Sequence, residues 1–241
     1  MKKEIFVYKD PITVAKNLVI NIHDYISEQL KFKNSLHIAL SGGNSPNIFF
    51  KVLNEQYLDV FPWGKINFFW VDERWVPHDS EQSNYGNAKR LLFDNIKNNP
   101  PRLHPIITEF SSNEEMVRYE KEIKENITNT HNGFPCFDLI ILGIGNDGHT
   151  ASIFPSNLDL FRTNKWLAIT NHPETQQIRI TFTGNLINNA KKIIFFVIGL
   201  EKRFIIKNIF SDKGDQYPAY HVMPVDGSIL WFLDYDAASL L

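Results

Sequence analysis

Short apolar runs and amphipathic stretches alternate along the chain. The runs Leu36–Leu40, Ile66–Val71, Phe137–Leu142 and Lys192–Ile198 are too short for helices, and runs of this kind are typical of strands buried on both faces of a parallel sheet. Between them, apolar residues recur at helical spacing, as in the segment 15–30, which predicts helices with one buried side. The alternation favours an α/β fold, a mostly parallel Rossmann-like sheet with helices on both faces.

Local signals predict where several helices begin. Asp10 followed by Pro11 predicts an N-cap and a first turn, and Ser45 followed by Pro46 predicts the same for the helix after the first buried run. Further along, Ser112 has the spacing of a capping box with the glutamate three residues later.

Four stretches carry weaker signals. The segment 95–112 is rich in asparagine and proline, which predicts an irregular excursion over the surface. Residues 219–222 and 229–233 predict two final strands. In the segment 177–183 the alternation turns Ile178 toward the core and places Arg179 on the polar face of a half-buried strand.

Composition limits the class of protein. With 241 residues, 43% of them hydrophobic and 22% charged, the chain can bury one sizeable core, so one domain over residues 1–241 is expected. A net charge of −2 without any basic run favours neither nucleic acid nor an anionic membrane as a partner. The N-terminus enters a strand pattern directly and no apolar run is long enough for a membrane span, so a cytoplasmic protein is expected.

Cysteine and histidine usage argues against a metal or disulfide framework. Cys136 is the one cysteine, and the eight histidines are scattered without the paired spacings of metal motifs. The sequence therefore predicts no cofactor and no dedicated metal site.

The loop 143–149 is the strongest candidate for chemistry. It follows a buried run, and its three glycines separate Asn146, Asp147 and His149. Open α/β sheets place ligand sites where a strand ends in such a loop. A carboxylate and an imidazole two residues apart can move a proton near neutral pH. The structural alternative is that Asp147 caps the turn and His149 caps the short helix that follows.

The same loop also matches the dinucleotide pattern G-x-G-x-x-G. That interpretation needs a helix after the third glycine and an acid at the end of the next strand. Pro155 shortens the following segment, the run 166–170 ends without an acid, and Asp147 would repel a pyrophosphate. A nucleotide cofactor is therefore not expected.

Other strand ends also carry polar residues. The loop Ser41–Ser45 precedes a helix and has the glycines and open N–H groups of an anion site, although an ordinary strand-to-helix turn would look the same. The run Asp72–Arg74 places three charges at a strand end. Asn84 can bond its own backbone or a ligand, Arg179 can be a surface cation or part of a site, and Lys202 opposes a helix dipole unless an anion is near.

Taken in order, these motifs resemble one enzyme family. The stretches SGGNSP, WGKINFFWVDERWVP, SNYG, FDLIILGIGNDGHTASIFP, RITFT and GLEK resemble the family of 6-phosphogluconolactonases and glucosamine-6-phosphate deaminases. The resemblance covers nearly the whole chain and implies the sugar-phosphate isomerase/CoA-transferase-like fold. Ser45 stands where this family more often has threonine, which keeps the hydroxyl.

Two positions separate the branches of that family. Deaminases resemble one another in a tyrosine where this chain has Arg74, and in a ring-opening glutamate where it has Phe154. The resemblance therefore implies hydrolysis of 6-phospho-D-glucono-1,5-lactone without a cofactor, by a monomer or weak homodimer. The alternatives are a deaminase or other sugar-phosphate isomerase, and a sugar-phosphate sensor without catalysis.

The resemblance also implies roles for named residues. His149 is expected to be the general base, Asp147 to orient it, Arg74 to stabilise the oxyanion or hold substrate, and Asp72 to position Arg74 or a substrate hydroxyl. The residues expected to bind the phosphate or the rest of the substrate are Ser41, Gly42, Gly43, Asn44, Ser45, Asn84, Arg179 and Lys202.

Overall fold

The computed structural model describes residues 4–211 and 213–241, with Asn44 described by its backbone alone. In chain order the strands are β1 (Glu4–Tyr8), β2 (Leu36–Leu40), β3 (Ile66–Trp70), β4 (Asp72–Arg74), β5 (Arg102–His104), β6 (Thr130–His131), β7 (Phe134–Pro135), β8 (Leu139–Leu142), β9 (Leu167–Asn171), β10 (Ile178–Phe182), β11 (Lys192–Val197) and β12 (Ser228–Asp234). The helices are α1 (Pro11–Gln29), α2 (Asn44–Gln56), α3 (Asn84–Leu91), α4 (Ser112–Asn126), α5 (Gly184–Asn188) and α6 (Arg203–Ile209).

The core is a seven-stranded sheet in the order β1-β12-β11-β8-β2-β3-β5. Each neighbouring pair in it is parallel, which confirms the predicted mostly parallel α/β sheet. A three-stranded antiparallel sheet, β4-β10-β9, lies beyond the end of β3. Strands β6 and β7 form a separate hairpin.

Helices cover both faces of the central sheet. Successive residues of β3 point to opposite sides: Phe68 lies with Ile22 of α1 and Phe50 of α2 around one apolar space, whereas Phe69 packs against Tyr119 of α4. Asp10 is the N-cap of α1, as predicted. Its carboxylate accepts a hydrogen bond from the Thr13 N–H at 2.8 Å.

Several local predictions were wrong. Helix α2 has Gly43 as its N-cap, with φ 111°, and not Ser45, because a glycine can turn the chain into the helix two residues earlier. The capping box of α4 joins Ser111 and Glu114, one residue before the predicted pair. Residues 218–221 form a 3-10 turn opened by Pro218, and not a strand.

Long-range pairing overrode two further predictions. The segment 95–112 contains β5, a short edge strand whose partner is β3, so it is not irregular throughout. Strand β10 lies between β4 and β9, and this central position buries both faces of the strand after Ile178, so the expected polar face was wrong. Ile178 is 39% exposed and Arg179 only 7% exposed, so Arg179 is a buried cation.

Candidate active site at the carboxyl ends of the strands

A cavity of about 400 Å³ opens where β2, β3, β8 and β11 end. Parallel sheets place ligand sites at this edge, because the loops after neighbouring strands converge there. Of the residues predicted from sequence, those lining the cavity are Ser41, Gly42, Gly43, Ser45, Asp72, Arg74, His149, Arg179 and Lys202. The fold therefore brings together residues that are far apart in the chain.

Three predicted residues stand elsewhere. Asp147 borders an adjacent groove of about 560 Å³, which shares Asn146 and His149 with the cavity. Asn84 is buried behind the wall, where its Nδ2 donates to the backbone oxygen of Asp72 at 2.8 Å. The side chain of Asn44 lies outside the described residues.

Asp147 and His149 form a hydrogen-bonded pair. His149 Nδ1 lies 2.6 Å from Asp147 Oδ1, and the His149 backbone N–H donates to the same oxygen at 3.1 Å. Burial raises the pKa of Asp147, but the hydrogen bond and charge of His149 outweigh it and leave that pKa lowered. An ionised Asp147 accepts the proton on Nδ1, so Nε2 is free to act as a base.

Gly145 gives this pair its space. Its N–H donates to the His149 carbonyl oxygen at 2.9 Å. A Cβ at this position would lie 2.1 Å from His149 Nδ1 and 2.8 Å from Asp147 Oδ1, which is closer than atoms approach without displacement. The glycine is therefore a steric requirement of the pair.

Phe154 supplies an apolar wall to His149. The two rings have centroids 4.8 Å apart, and on its other side Phe154 meets the ring of His172 at 5.3 Å. Phe154 is fully buried. No carboxylate or hydroxyl can be offered to a ligand from this position.

The small antiparallel sheet carries the cationic side of the site. In the β4–β10 pair, Arg74 lies opposite Arg179 and Asp72 opposite Thr181. Burial lowers the pKa of Arg179, Asp72 opposes that shift, and the neighbouring Arg74 adds to it. Two like charges facing each other across strands are unfavourable unless an anion lies near them.

Three residues that line the cavity have a buried donor atom without a hydrogen-bond partner in the described part of the chain. Ser41 Oγ, Arg74 Nε and Arg179 Nε are buried and make no hydrogen bond within the described residues. All three residues line the cavity. Because buried polar groups are nearly always paired in folded proteins, these atoms identify places where a ligand or water completes the bonding.

The Asp72 carboxylate is contacted by two neutral side chains, Ser152 and Asn84. Ser152 Oγ donates to Asp72 Oδ2 at 2.6 Å, and Asn84 Nδ2 lies 3.4 Å from Oδ1. Sequence reasoning missed Ser152 because its contact with Asp72 depends on how the loop after β8 packs on β4, and no local pattern encodes that.

Glu73 closes the loop that follows β4. Its carboxylate accepts hydrogen bonds from the N–H groups of Arg74, Asn84 and Tyr85 at 2.7 to 2.8 Å, and from Ser83 Oγ at 3.0 Å. Burial raises the pKa of Glu73, although these backbone donors oppose the shift. The middle acid of the Asp-Glu-Arg run is thus a structural anchor for α3.

Lys202 reaches the loop after β8. Its Nζ donates to Asn146 Oδ1, and burial lowers its pKa while Glu201 and Asp147 oppose that shift. It lies in a 3-10 turn, Leu200–Lys202, and α6 begins one residue later. Sequence reasoning did not single out Asn146 or Glu201 as ligands, yet both line the cavity.

The described ranges, 4–211 and 213–241, contain no group of three or more His, Cys, Asp or Glu side chains placed to hold a metal ion. Nor does any helix there have the length and apolar character to cross a membrane.

Comparison with known proteins shows the family of this chain. Residues 9–231 match the model of the family described as glucosamine-6-phosphate isomerases/6-phosphogluconolactonase. The chain belongs to this family. A 6-phosphogluconolactonase of Haemophilus influenzae is 38% identical over 214 residues, which cover 88% of this chain and 90% of that protein.

Solved structures place the fold in the same family. The 6-phosphogluconolactonase of Thermotoga maritima is 31% identical with a TM-score of 0.83, covering 97% of this chain and 100% of that one. The enzyme of the same name from Trypanosoma brucei is 27% identical with a TM-score of 0.88, covering 100% of this chain and 99% of the other.

Proposed function

We propose that the protein hydrolyses 6-phospho-D-glucono-1,5-lactone to 6-phospho-D-gluconate, a step of the oxidative pentose phosphate pathway. The observation that carries the proposal is the Asp147–His149 pair at the edge of a cavity that is also lined by the buried cation Arg179. The family and its named lactonases support the same reaction. A lactone is an activated ester, so water can attack it without a covalent nucleophile.

His149 is the proposed general base. Nε2 takes a proton from water as the water oxygen bonds to the lactone carbonyl carbon. The tetrahedral intermediate then breaks its bond to the ring oxygen, and the proton on Nε2 passes to that oxygen, so the histidine returns to its starting state. General base catalysis of this kind is typically worth about 10²- to 10⁴-fold. Asp147 holds the ring and stabilises its protonated form.

The cations that line the cavity have separate proposed roles. We assign Arg74 to the developing oxyanion, since a preorganised charge at that position favours the transition state. Arg179 and Lys202 hold the phosphate together with the loop of Ser41 to Ser45 at the start of α2. The buried, unpaired Nε of Arg179 supports this assignment.

The deaminase alternative lacks a proton carrier. Phe154 fills the position at which the family's deaminases are expected to carry a glutamate, and its buried ring packs on His149. Ring opening of an amino sugar needs an acid at that place, whereas attack of water on a lactone does not. The site therefore favours hydrolysis.

We propose that the protein works as a monomer or weak homodimer. The buried thiol of Cys136, which donates to the Asn189 carbonyl oxygen at 3.1 Å, fits the proposed cytoplasmic setting.

The deciding experiment measures acid release from freshly prepared 6-phosphogluconolactone above its spontaneous rate. Wild type is expected to accelerate hydrolysis, and His149→Ala to lose a factor of about 100 or more in kcat. His23→Ala, a partly exposed change on α1 away from the cavity, is the matched control and should behave as wild type. No acceleration by wild type would reject the function, and acceleration that survives His149→Ala would reject the mechanism.

A further inference from the structure

Ser152 occupies an unusual place in the loop after β8. It is fully buried, and each of its polar atoms has a partner. The N–H donates to Thr181 Oγ1 at 3.1 Å, the carbonyl oxygen accepts from Thr170 Oγ1 at 3.0 Å, and the hydroxyl donates to Asp72 Oδ2 at 2.6 Å. The backbone bonds fix Ser152 to β9 and β10, so the hydroxyl can be devoted to Asp72.

The backbone beside Ser152 is strained. Ala151 has φ 53°, a left-handed conformation that L-residues other than glycine rarely adopt. Ala151 also lines the cavity. Strain of this kind persists where the surrounding structure holds it, and it is concentrated at functional sites. The strained turn presents His149 on one side and the Ser152 hydroxyl on the other.

Asp72 needs such support because it is a buried carboxylate on the cavity wall. Its Oδ2 is taken by the short bond from Ser152, whereas Oδ1 has only the long approach of Asn84 Nδ2 at 3.4 Å. A carboxylate oxygen accepts more than one hydrogen bond. Oδ1 therefore keeps capacity for a further donor inside the cavity.

We infer that Ser152 is a positioning residue for the reaction, which holds Asp72 so that Oδ1 accepts a hydrogen bond from a hydroxyl of the sugar lactone. The inference rests on the proposed function and extends it. It also joins two parts of the site, since one loop carries both the base and the group that orients Asp72. Substrate hydroxyl and base are then set relative to each other by four residues of backbone.

A double-mutant cycle tests this coupling. The variants are Ser152→Ala, Asp72→Asn and their combination, with kcat and KM measured for lactone hydrolysis. Ser152→Ala is expected to lower kcat/KM about tenfold, the range of a hydrogen bond to a charged group. In the Asp72→Asn background the same change should cost less than about twofold, because Ser152 then bonds a neutral amide and no longer positions a charged acceptor.

Thr183→Val is the matched control. It removes a buried hydroxyl that donates to the Lys165 carbonyl oxygen at 2.7 Å and bonds neither Ser152 nor Asp72. Its kcat and KM should stay within about twofold of wild type. A tenfold loss in this control, or an equal Ser152→Ala loss in both Asp72 backgrounds, would overturn the inference, since either would indicate a general effect on folding.

Two further measurements keep the test decisive. If Ser152→Ala does not fold, Ser152→Cys preserves the size of the side chain with a weaker donor. Its kcat/KM should lie between those of wild type and Asp72→Asn. A kcat/KM equal to that of wild type would overturn the inference. If wild type does not hydrolyse the lactone, the proposed function fails separately. The same cycle is then read from the calorimetric affinity for 6-phosphogluconate, where additive effects would overturn the positioning role.

Discussion

At the scale of single residues, the hydrogen-bonded pair of Asp147 and His149 depends on the absence of a side chain at Gly145. A Cβ at Gly145 would lie 2.1 Å from His149 Nδ1, so Gly145→Ala should push the imidazole away from Asp147. We expect kcat to fall by about 100-fold, the scale of general base catalysis, while KM changes little. Steady-state kinetics on the folded variant measures this.

Gly143→Ala is the control for that change. A Cβ there meets no atom within 4 Å, so the Asp147–His149 pair should stay in place. We expect its kcat to remain near that of wild type, with any effect confined to KM. If both glycine variants lost kcat equally, loop flexibility and not the steric requirement would explain the first result.

Arg179 and His149 should affect different kinetic constants. Arg179 is a buried cation with an open Nε, so Arg179→Ala removes a charge-assisted contact to the phosphate and should raise KM by about tenfold or more. His149→Ala should mainly lower kcat. Kinetics of both variants over a range of substrate concentration tests the division, which equal changes in both constants would contradict.

The pH profile follows from the lowered pKa of Asp147. Burial raises that pKa, but the hydrogen bond and charge of His149 outweigh it, so Asp147 stays ionised below its unfolded value of about 3.9. Asp147 therefore stays an ionised acceptor for His149 Nδ1 at any pH above that value. We expect Asp147→Asn to lower kcat by a similar factor at every pH between roughly 5 and 8, measured with buffers of constant ionic strength. A loss confined to one end of that range would contradict a carboxylate that is ionised throughout.

Sequence patterns predicted the residues proposed to react, but not the residues that support them. The glycine loop, Asp147 and His149 lie within seven positions, so local spacing was enough to predict a proton-transferring pair. Ser152 and Glu73 act through contacts with residues on other elements. No periodicity carries that information.

At the scale of elements, β4 and α3 are fastened by one carboxylate. Glu73 accepts three backbone N–H bonds and one hydroxyl bond. The amide of Glu73→Gln offers one accepting oxygen in place of two, so we expect the free energy of unfolding to fall by about 2 kcal/mol. Urea unfolding measures it.

Glu114→Gln is the control for the loss of unfolding free energy in Glu73→Gln. Glu114 closes the capping box of α4 from an exposed position, where water can replace the lost bond. Its effect on unfolding should be clearly smaller than that of Glu73→Gln. Similar losses would mean that burial of the Glu73 carboxylate contributes nothing special.

Elements defined by local periodicity were predicted well, and those defined by a distant partner were not. The apolar runs that became β2, β3, β8 and β11 carry their own signal. Strand β5 is three residues long and exists because β3 offers an open edge. Burial of Arg179 likewise depends on β4 and β9 flanking its strand, which are distant in sequence.

At the scale of the whole molecule, stability at acid pH should depend on a carboxylate at the amino ends of the strands, on the side of the sheet away from the cavity. Asp138 directly precedes β8, accepts from the His37 N–H at 2.8 Å and pairs with Lys33. Burial raises its pKa, but bonds from His37 and Lys33 outweigh that and lower it. The resulting stabilisation is complete above the unfolded pKa of about 3.9 and is lost as the pH falls through the folded value.

Asp138→Asn should therefore cost stability mainly at neutral pH. We expect a loss of about 2 kcal/mol in urea unfolding near pH 7 and a smaller difference from wild type near pH 3. Asp24→Asn, an exposed change on α1, should leave the pH dependence as in wild type. An equal loss at both pH values would show that Asp138 matters for packing and not for its charge.

The pairing of β1 with β12 determines the order in which the strands of the sheet can pair during synthesis. Strand β1 lies at one edge of the sheet, and β12 separates it from β11. Ribosomes add about 5 to 20 residues per second, so the first strand waits on the order of ten seconds or more for its partner. Strands β2, β3 and β8, whose ends form much of the cavity, can pair earlier. The nascent chain can thus pair several of the strands that end at the cavity before β12 and β1 complete the other side of the sheet.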